Sequence, residues 1–159
     1  MKKNKAYFPM FVDISDMNVV VIGAGVIASR RIETLCQFTD NITVIAPQIS
    51  DQVEELAKIN PIKCIRRCYE EGDITGADMV VIGTDNHKLN ESIAKLCKER
   101  DIIVSVTTDR ILCDFYFPGI IKRDNLVIGV NASGTNHRQV KVIRKAIEEY
   151  LDRIEAKDV

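Results

Sequence analysis

Short apolar runs recur along the chain at Val19–Ile22, 42–46, 79–83 and 102–106, with 63–69 as a more polar fifth. Runs of this length, rich in Val and Ile, predict strands covered on both faces. Stretches of helical spacing separate them. Val26, Ile27, Ile32, Leu35, Cys36 and Phe38 form a stripe after the first run, and Val53, Leu56 and Ala57 form one after the second. Leu89, Ile93, Leu96 and Cys97 follow the fourth. Asp51 and Glu54 have the spacing of a capping box, and Asn60-Pro61 closes that helix. Strands alternating with helices predict an α/β fold, a doubly wound parallel sheet. Ahead of it, residues 7–14 are apolar but broken by Pro9, which suits an N-terminal strand or a lead-in.

The pattern changes after Thr108. Residues 115–121 and 126–131 are two apolar segments joined by the polar tetrad Lys122-Arg123-Asp124-Asn125, which predicts a β-hairpin. The last stretch then sets Val140, Ile143, Ile147, Tyr150, Leu151 and Ile154 on one helical face. That face is larger than a hairpin can cover, so it predicts burial against the sheet or against a second copy, with a homodimer favoured. The chain accordingly divides into residues 1–112, the part that alternates strands and helices, and 113–159, the hairpin and helix expected to dimerise.

The run from Val19 to Arg30 carries the first chemistry. Gly23 and Gly25, with Ala28 three residues on, follow a strand and open a helix. Glycine permits the tight turn and close approach of a pyrophosphate, and the small third residue lets helix and strand pack, which is the logic of a Rossmann-like dinucleotide site. Glycines also serve ordinary strand-to-helix turns, so the motif alone does not decide. The acid expected at the end of the second strand is missing, since that position reads Ala46-Pro47-Gln48. No arginine stands there to hold a 2′-phosphate, which favours NAD over NADP.

Charge narrows the partners. With 22 Lys and Arg against 23 Asp and Glu among 159 residues, the chain has no basic field for nucleic acid or an anionic membrane. Five cysteines within apolar patterns suit reduced core thiols, with Cys64 and Cys68 on one strand face. Two separated histidines, His87 and His137, argue against a metal site and suit surface caps. The interrupted N-terminus is not a signal peptide, and the expected location is cytoplasmic.

Read together, several segments resemble the NAD-dependent precorrin-2 dehydrogenase family of sirohaem synthesis. They are Phe8-Pro9-Met10-Phe11-Val12-Asp13, the glycine run through Arg31, Thr43-Val44-Ile45-Ala46-Pro47, Gly83-Thr84-Asp85-Asn86 with Leu89-Asn90, Phe115-Tyr116-Phe117-Pro118-Gly119-Ile120-Ile121, and Val130-Asn131-Ala132-Ser133-Gly134-Thr135. The resemblance spans residues 7–150 in order and explains the missing acid, because that family also ends its second strand in a proline turn. It implies oxidation of precorrin-2 to sirohydrochlorin with hydride transfer to NAD. It puts Gly23, Ala24, Gly25, Val26 and Ile27 at the pyrophosphate, Pro47 and Gln48 at the adenosine ribose, and Thr84 and Asp85 at the nicotinamide. The family's acid/base aspartate follows the fifth strand; Thr108 falls at its place and Asp109 one residue on, so Asp109 is the candidate. An aspartate there also suits a turn or cap. For the substrate's carboxylates the candidates are Ser133, Gly134, Thr135 and Arg138, near the basic Lys122, Arg123, Lys141 and Arg144. The family's loop serine aligns with Ala132, so no role of that serine carries over. Some members also insert iron or cobalt. Other readings are a non-catalytic NAD-sensing module and a tetrapyrrole-binding protein.

Overall fold

The computed structural model describes residues 7–133 and 135–156. Residues group into two compact units, Val12–Phe115 and a smaller one joining 7–11 to the chain from Tyr116 on.

In the larger unit β1 (Val19–Ile22), β2 (Ile42–Ile45), β3 (Ile62–Ile65), β4 (Met79–Ile82) and β5 (Ile103–Val106) form one parallel sheet in the order β3-β2-β1-β4-β5. The helices α1 (Val26–Leu35), α2 (Asp51–Ile59) and α3 (His87–Glu99) supply the crossovers. All residues of β1 and β4 are buried, as their unbroken apolar runs require. The chain moves outward from β1 to β2 and β3, then returns to β1's other side with β4. That reversal opens a crevice past the carboxyl ends of β1 and β4, where open α/β sheets receive ligands.

Of the two readings of residues 7–14, the structure has the lead-in: they form no strand, and Phe8 is 87% exposed. Other local expectations are corrected. The buried face of α1 is Ala28, Ser29, Ile32 and Leu35, whereas Val26 and Ile27 stand 66% and 50% exposed. Helix α2 begins with Ser50 as its N-cap, so Asp51 is the first helical residue and the expected capping box is one position off. β3 stops at Ile65, so Cys68 lies beyond the strand and does not share its face. Its weaker pattern reflects its place at the sheet edge.

β5 is the opposite edge, and the chain after it closes that edge. Asp114 N–H donates to Val104 O at 2.8 Å, and the Asp114 carboxylate accepts from Val104 N–H at 3.0 Å. One step along, the Cys113 thiol accepts from Val106 N–H at 3.1 Å and donates to Val106 O at 3.2 Å. The Asp114 backbone N–H and the side chains of Cys113 and Asp114 thus stand in for a sixth strand.

Among the described residues one buried side-chain polar group is unmatched. Tyr69 packs on the core cluster of Ile74, Ile93 and Cys97, but its hydroxyl has no hydrogen-bond partner. Burial without a partner pushes the phenol's pKa up, with nearby Cys97 adding to the shift. Tyr69→Phe is therefore expected to stabilise the protein by up to about 1 kcal/mol, seen as a melting temperature raised by about 2–4 °C. A lower melting temperature would mean that the hydroxyl makes a useful bond.

The smaller unit holds the expected hairpin, β6 (Gly119–Arg123) and β7 (Leu126–Val130), with α4 (His137–Glu155). Lys122 and Arg123 belong to β6 instead of the turn, which is Asp124-Asn125 alone, with Asp124 at φ 47°. α4 lies close on β6, since a Cβ on Gly119 would meet Val140 at 2.9 Å. Tyr7 joins the unit through an edge-on contact with Tyr116 at 4.8 Å between ring centres. No residue of α4 is buried, and Val142 and Tyr150 are among its exposed apolar side chains.

Candidate functional site

The carboxyl edge of the sheet is built as a row of backbone amides. Ala46 N–H donates to Ile65 O at 3.2 Å, Gly23 to Ile45 O at 2.8 Å, Gly83 to Ile22 O at 2.8 Å and Thr107 to Ile82 O at 2.8 Å. Each residue just past a strand is thereby pinned to the last residue of the neighbouring strand. The turns after β1 and β4 consequently meet at Gly23 and Gly83. Gly23 adopts φ +101°, and a Cβ there would lie 2.4 Å from Gly83 O. Both backbone angle and space demand glycine.

Gly25 is different. It is the N-cap of α1 in an ordinary extended conformation, and a Cβ added to it would meet nothing within 4 Å. The chain's own packing does not require glycine here, but close approach of a ligand would. α1 has no side-chain cap and no acid in its first turn, leaving the partial positive charge of its N-terminus for an outside anion. Ala28 packs against the second turn, since a Cβ on Gly83 would meet Ala28 Cβ at 3.3 Å. The arrangement suits a dinucleotide pyrophosphate; Ala24 is buried, and Val26 and Ile27 are exposed at the helix start.

The buried Ser29 links this turn to the next. Its hydroxyl donates to Gly25 O at 2.9 Å and lies 3.0 Å from the Ser50 hydroxyl at the head of α2. Ser50 is drawn into that pair and makes no cap bond of its own. Pro47 and Gln48 stand exposed between β2 and this serine, with no carboxylate among them.

Thr84 and Asp85 continue from β4, and Asn86 caps α3 by accepting from Leu89 N–H at 3.1 Å. Behind them sits Asn90, 1% exposed. Its Nδ2 donates to Thr84 O at 2.9 Å and to Thr108 Oγ1 at 3.2 Å, while its Oδ1 accepts from the Thr84 hydroxyl. The expected site residues after β4 and the segment after β5 are thus joined through a residue given no role from sequence. Its signal was present: Asn90, Ile93, Ala94 and Cys97 share one helical face, and a lone amide on an apolar stripe must find partners. Asp109 follows Thr108 and caps the 3-10 turn Arg110–Leu112, accepting from Ile111 N–H at 2.8 Å.

The substrate candidates lie in the smaller unit. Ser133 adopts φ 51°, and the Thr135 hydroxyl donates to Ala132 O at 2.7 Å. Asn136 caps α4 by accepting from Gln139 N–H at 2.9 Å, and Arg138 is exposed in the first turn. Gly134 lies outside the described residues. Of the basic side chains nearby, Arg123 pairs with Asp152 at 2.6 Å and Arg144 with Glu148 at 2.8 Å. No cluster of three or more His, Cys, Asp or Glu that could hold a metal occurs among the described residues.

The model of a protein family described as "Putative NAD(P)-binding" matches residues 10–119. The chain belongs to that family. The matched stretch takes in the glycine turn, the β4 turn and Asp109. The siroheme synthase of Pseudoalteromonas atlantica is 34% identical over 145 residues, which is 91% of this chain and 31% of the relative. That of Buchnera aphidicola is 32% identical over 145 residues with the same shares. The chain therefore spans about a third of the length of these relatives. The solved structure of SirC, precorrin-2 dehydrogenase, superposes with a TM-score of 0.73 at 23% identity, covering 91% of this chain and 71% of that one, and so shares the fold. No helix among the described residues is long and apolar enough to cross a membrane.

Proposed function

We propose that this chain is an NAD-dependent precorrin-2 dehydrogenase, converting precorrin-2 to sirohydrochlorin in siroheme formation. The observation that carries the reading is a dinucleotide turn followed by a proline-containing β2 end without the usual acid, inside a similarity to siroheme synthases over 91% of the chain. NAD bound in the crevice supplies the hydride acceptor.

The chain's own residues do the remainder. Gly23, Ala24, Gly25, Val26 and Ile27 offer backbone donors and an unobstructed surface to the pyrophosphate. Pro47 and Gln48 shape the ribose side, where Gln48 replaces a carboxylate by a neutral amide. Thr84 and Asp85 face the nicotinamide. Precorrin-2 loses a hydride and a proton, and the Asp109 carboxylate takes the proton. Ser133, Gly134, Thr135 and Arg138 meet substrate carboxylates.

The division of labour follows residues 1–112 for NAD and 113–159 for substrate and dimerisation. A second copy of the chain covers the apolar side of α4, and the enzyme works in the cytoplasm as a homodimer. Supporting the dimer, a 19-residue helix bearing Val142, Ile143, Tyr150 and Ile154 buries none of its residues within its own chain.

The test is anaerobic incubation with enzymatically generated precorrin-2 and NAD. A rise of NADH absorbance matched by sirohydrochlorin formation is expected. NAD binding without turnover would replace this reading by a sensing module, and sirohydrochlorin binding without NAD binding by a tetrapyrrole carrier.

A further inference from the structure

We infer that Asn90 is a positioning residue that makes the Thr84-Asp85 turn and the Thr108-Asp109 segment move as one, so that NAD bound at the first sets the acid at the second. The inference rests on the dehydrogenase reading for its catalytic meaning, but the coupling itself concerns only this chain and NAD.

The carboxamide is buried and every polar atom on it is used. Nδ2 donates in two directions, to the β4-end carbonyl of Thr84 at 2.9 Å and to the β5-end hydroxyl of Thr108 at 3.2 Å. Oδ1 accepts from the Thr84 hydroxyl, which in turn accepts from Asn86 N–H at 3.2 Å. A carboxamide alone combines two donors and an acceptor on one short stem. An aspartate would turn a carboxylate oxygen on the Thr84 carbonyl, and a leucine would orphan the groups at both ends.

Backbone pairing between the two segments ends before Thr108. β4 and β5 pair in register only as far as Ile82 and Val106, and the last backbone bond beyond them is Thr107 N–H to Ile82 O. From Thr108 onward, the bond to Asn90 ties this strand's continuation to the β4 turn. Asp109 is the next residue and its carboxylate is already directed by Ile111 N–H at 2.8 Å. Restraint at Thr108 and at Ile111 brackets the acid from both sides. A hydride and a proton leave the same substrate, so their acceptors must be held at a fixed separation, and sub-ångström freedom there costs rate.

Thr108→Val tests this without disturbing the core, because Thr108 is exposed and valine keeps its shape. Hydrogen exchange is compared with and without saturating NAD. In the unsubstituted chain NAD is expected to slow exchange by about fivefold or more at residues 84–86 and also at 107–111. In Thr108→Val the protection at 84–86 should persist while that at 107–111 disappears, and Thr108→Ser, which keeps the hydroxyl, should restore it. Equal protection at 107–111 in the valine variant, or none there in the unsubstituted chain, overturns the coupling. In turnover, Thr108→Val is expected to lower kcat about tenfold with KM for NAD within about twofold, the signature of lost positioning. If the unsubstituted chain gives no precorrin-2 turnover, the dehydrogenase reading falls and the exchange result still judges the coupling.

Discussion

Gly25→Ser is expected to leave the fold intact while weakening NAD binding by about tenfold or more, whereas Gly23→Ala should damage the fold itself. The two glycines stand two residues apart, but the structure uses them for opposite reasons. Serine is a better N-cap than glycine by a few tenths of a kcal/mol, so at Gly25 it should hold or slightly raise the melting temperature. The same hydroxyl would accept the amide protons of α1 that an incoming phosphate needs, and its Cβ would fill space that the chain leaves open. At Gly23 even a methyl group would lie 2.4 Å from Gly83 O on a backbone with φ +101°. Strain and overpacking together should cost at least about 2 kcal/mol, a fall in melting temperature of about 4–8 °C. Thermal melts and NAD titration of both variants check this. An unchanged NAD affinity in Gly25→Ser would mean that the open space is not where the pyrophosphate lies.

Asp109→Asn should abolish most turnover while keeping the local structure. The asparagine Oδ1 can still accept from Ile111 N–H, so the 3-10 turn keeps its cap, but the side chain no longer takes up a proton. The expected fall in kcat is about 10²- to 10⁴-fold, the usual size of a general acid/base contribution, with NAD affinity unaltered. Asp109→Ala is the less informative variant because it also removes the cap, at a cost of about 1 kcal/mol. A rate in Asp109→Asn equal to that of the unsubstituted protein would reduce Asp109 to its capping role. Precorrin-2-dependent NADH formation, with stability followed in parallel, separates the outcomes.

The supports of the site differ in kind, and this shapes what substitution does. Gly23, Gly83 and Ala28 are fixed by contact distances within the fold, so changes there act on stability and binding together. Asn90 and Ser29 act through hydrogen bonds between segments far apart in the chain. Gly25 is exposed with open space around it, and the Asp109 carboxylate is held by its own cap bond to Ile111 N–H, so changes at either are expected to act more on binding and turnover than on the fold.

The order and kind of the elements were legible in the sequence, because they rest on local periodicity. The apolar runs at β1, β2 and β4, the existence of the helices between them, the final hairpin and the glycine turn are each signalled within a window of a few residues. The missing β2 acid was equally visible, being a matter of which residue follows a strand. Tertiary structure alone decided what depends on pairings between distant segments. The order β3-β2-β1-β4-β5 arises from parallel pairing across crossovers and opens the crevice between β1 and β4. Val26 and Ile27, apolar and in phase for a stripe, proved exposed because the helix starts at the lip of that crevice. Cys113 and Asp114 became sheet-edge partners, and Asn90 the tie between two turns, because burial obliges each polar group to find a partner that no local pattern specifies.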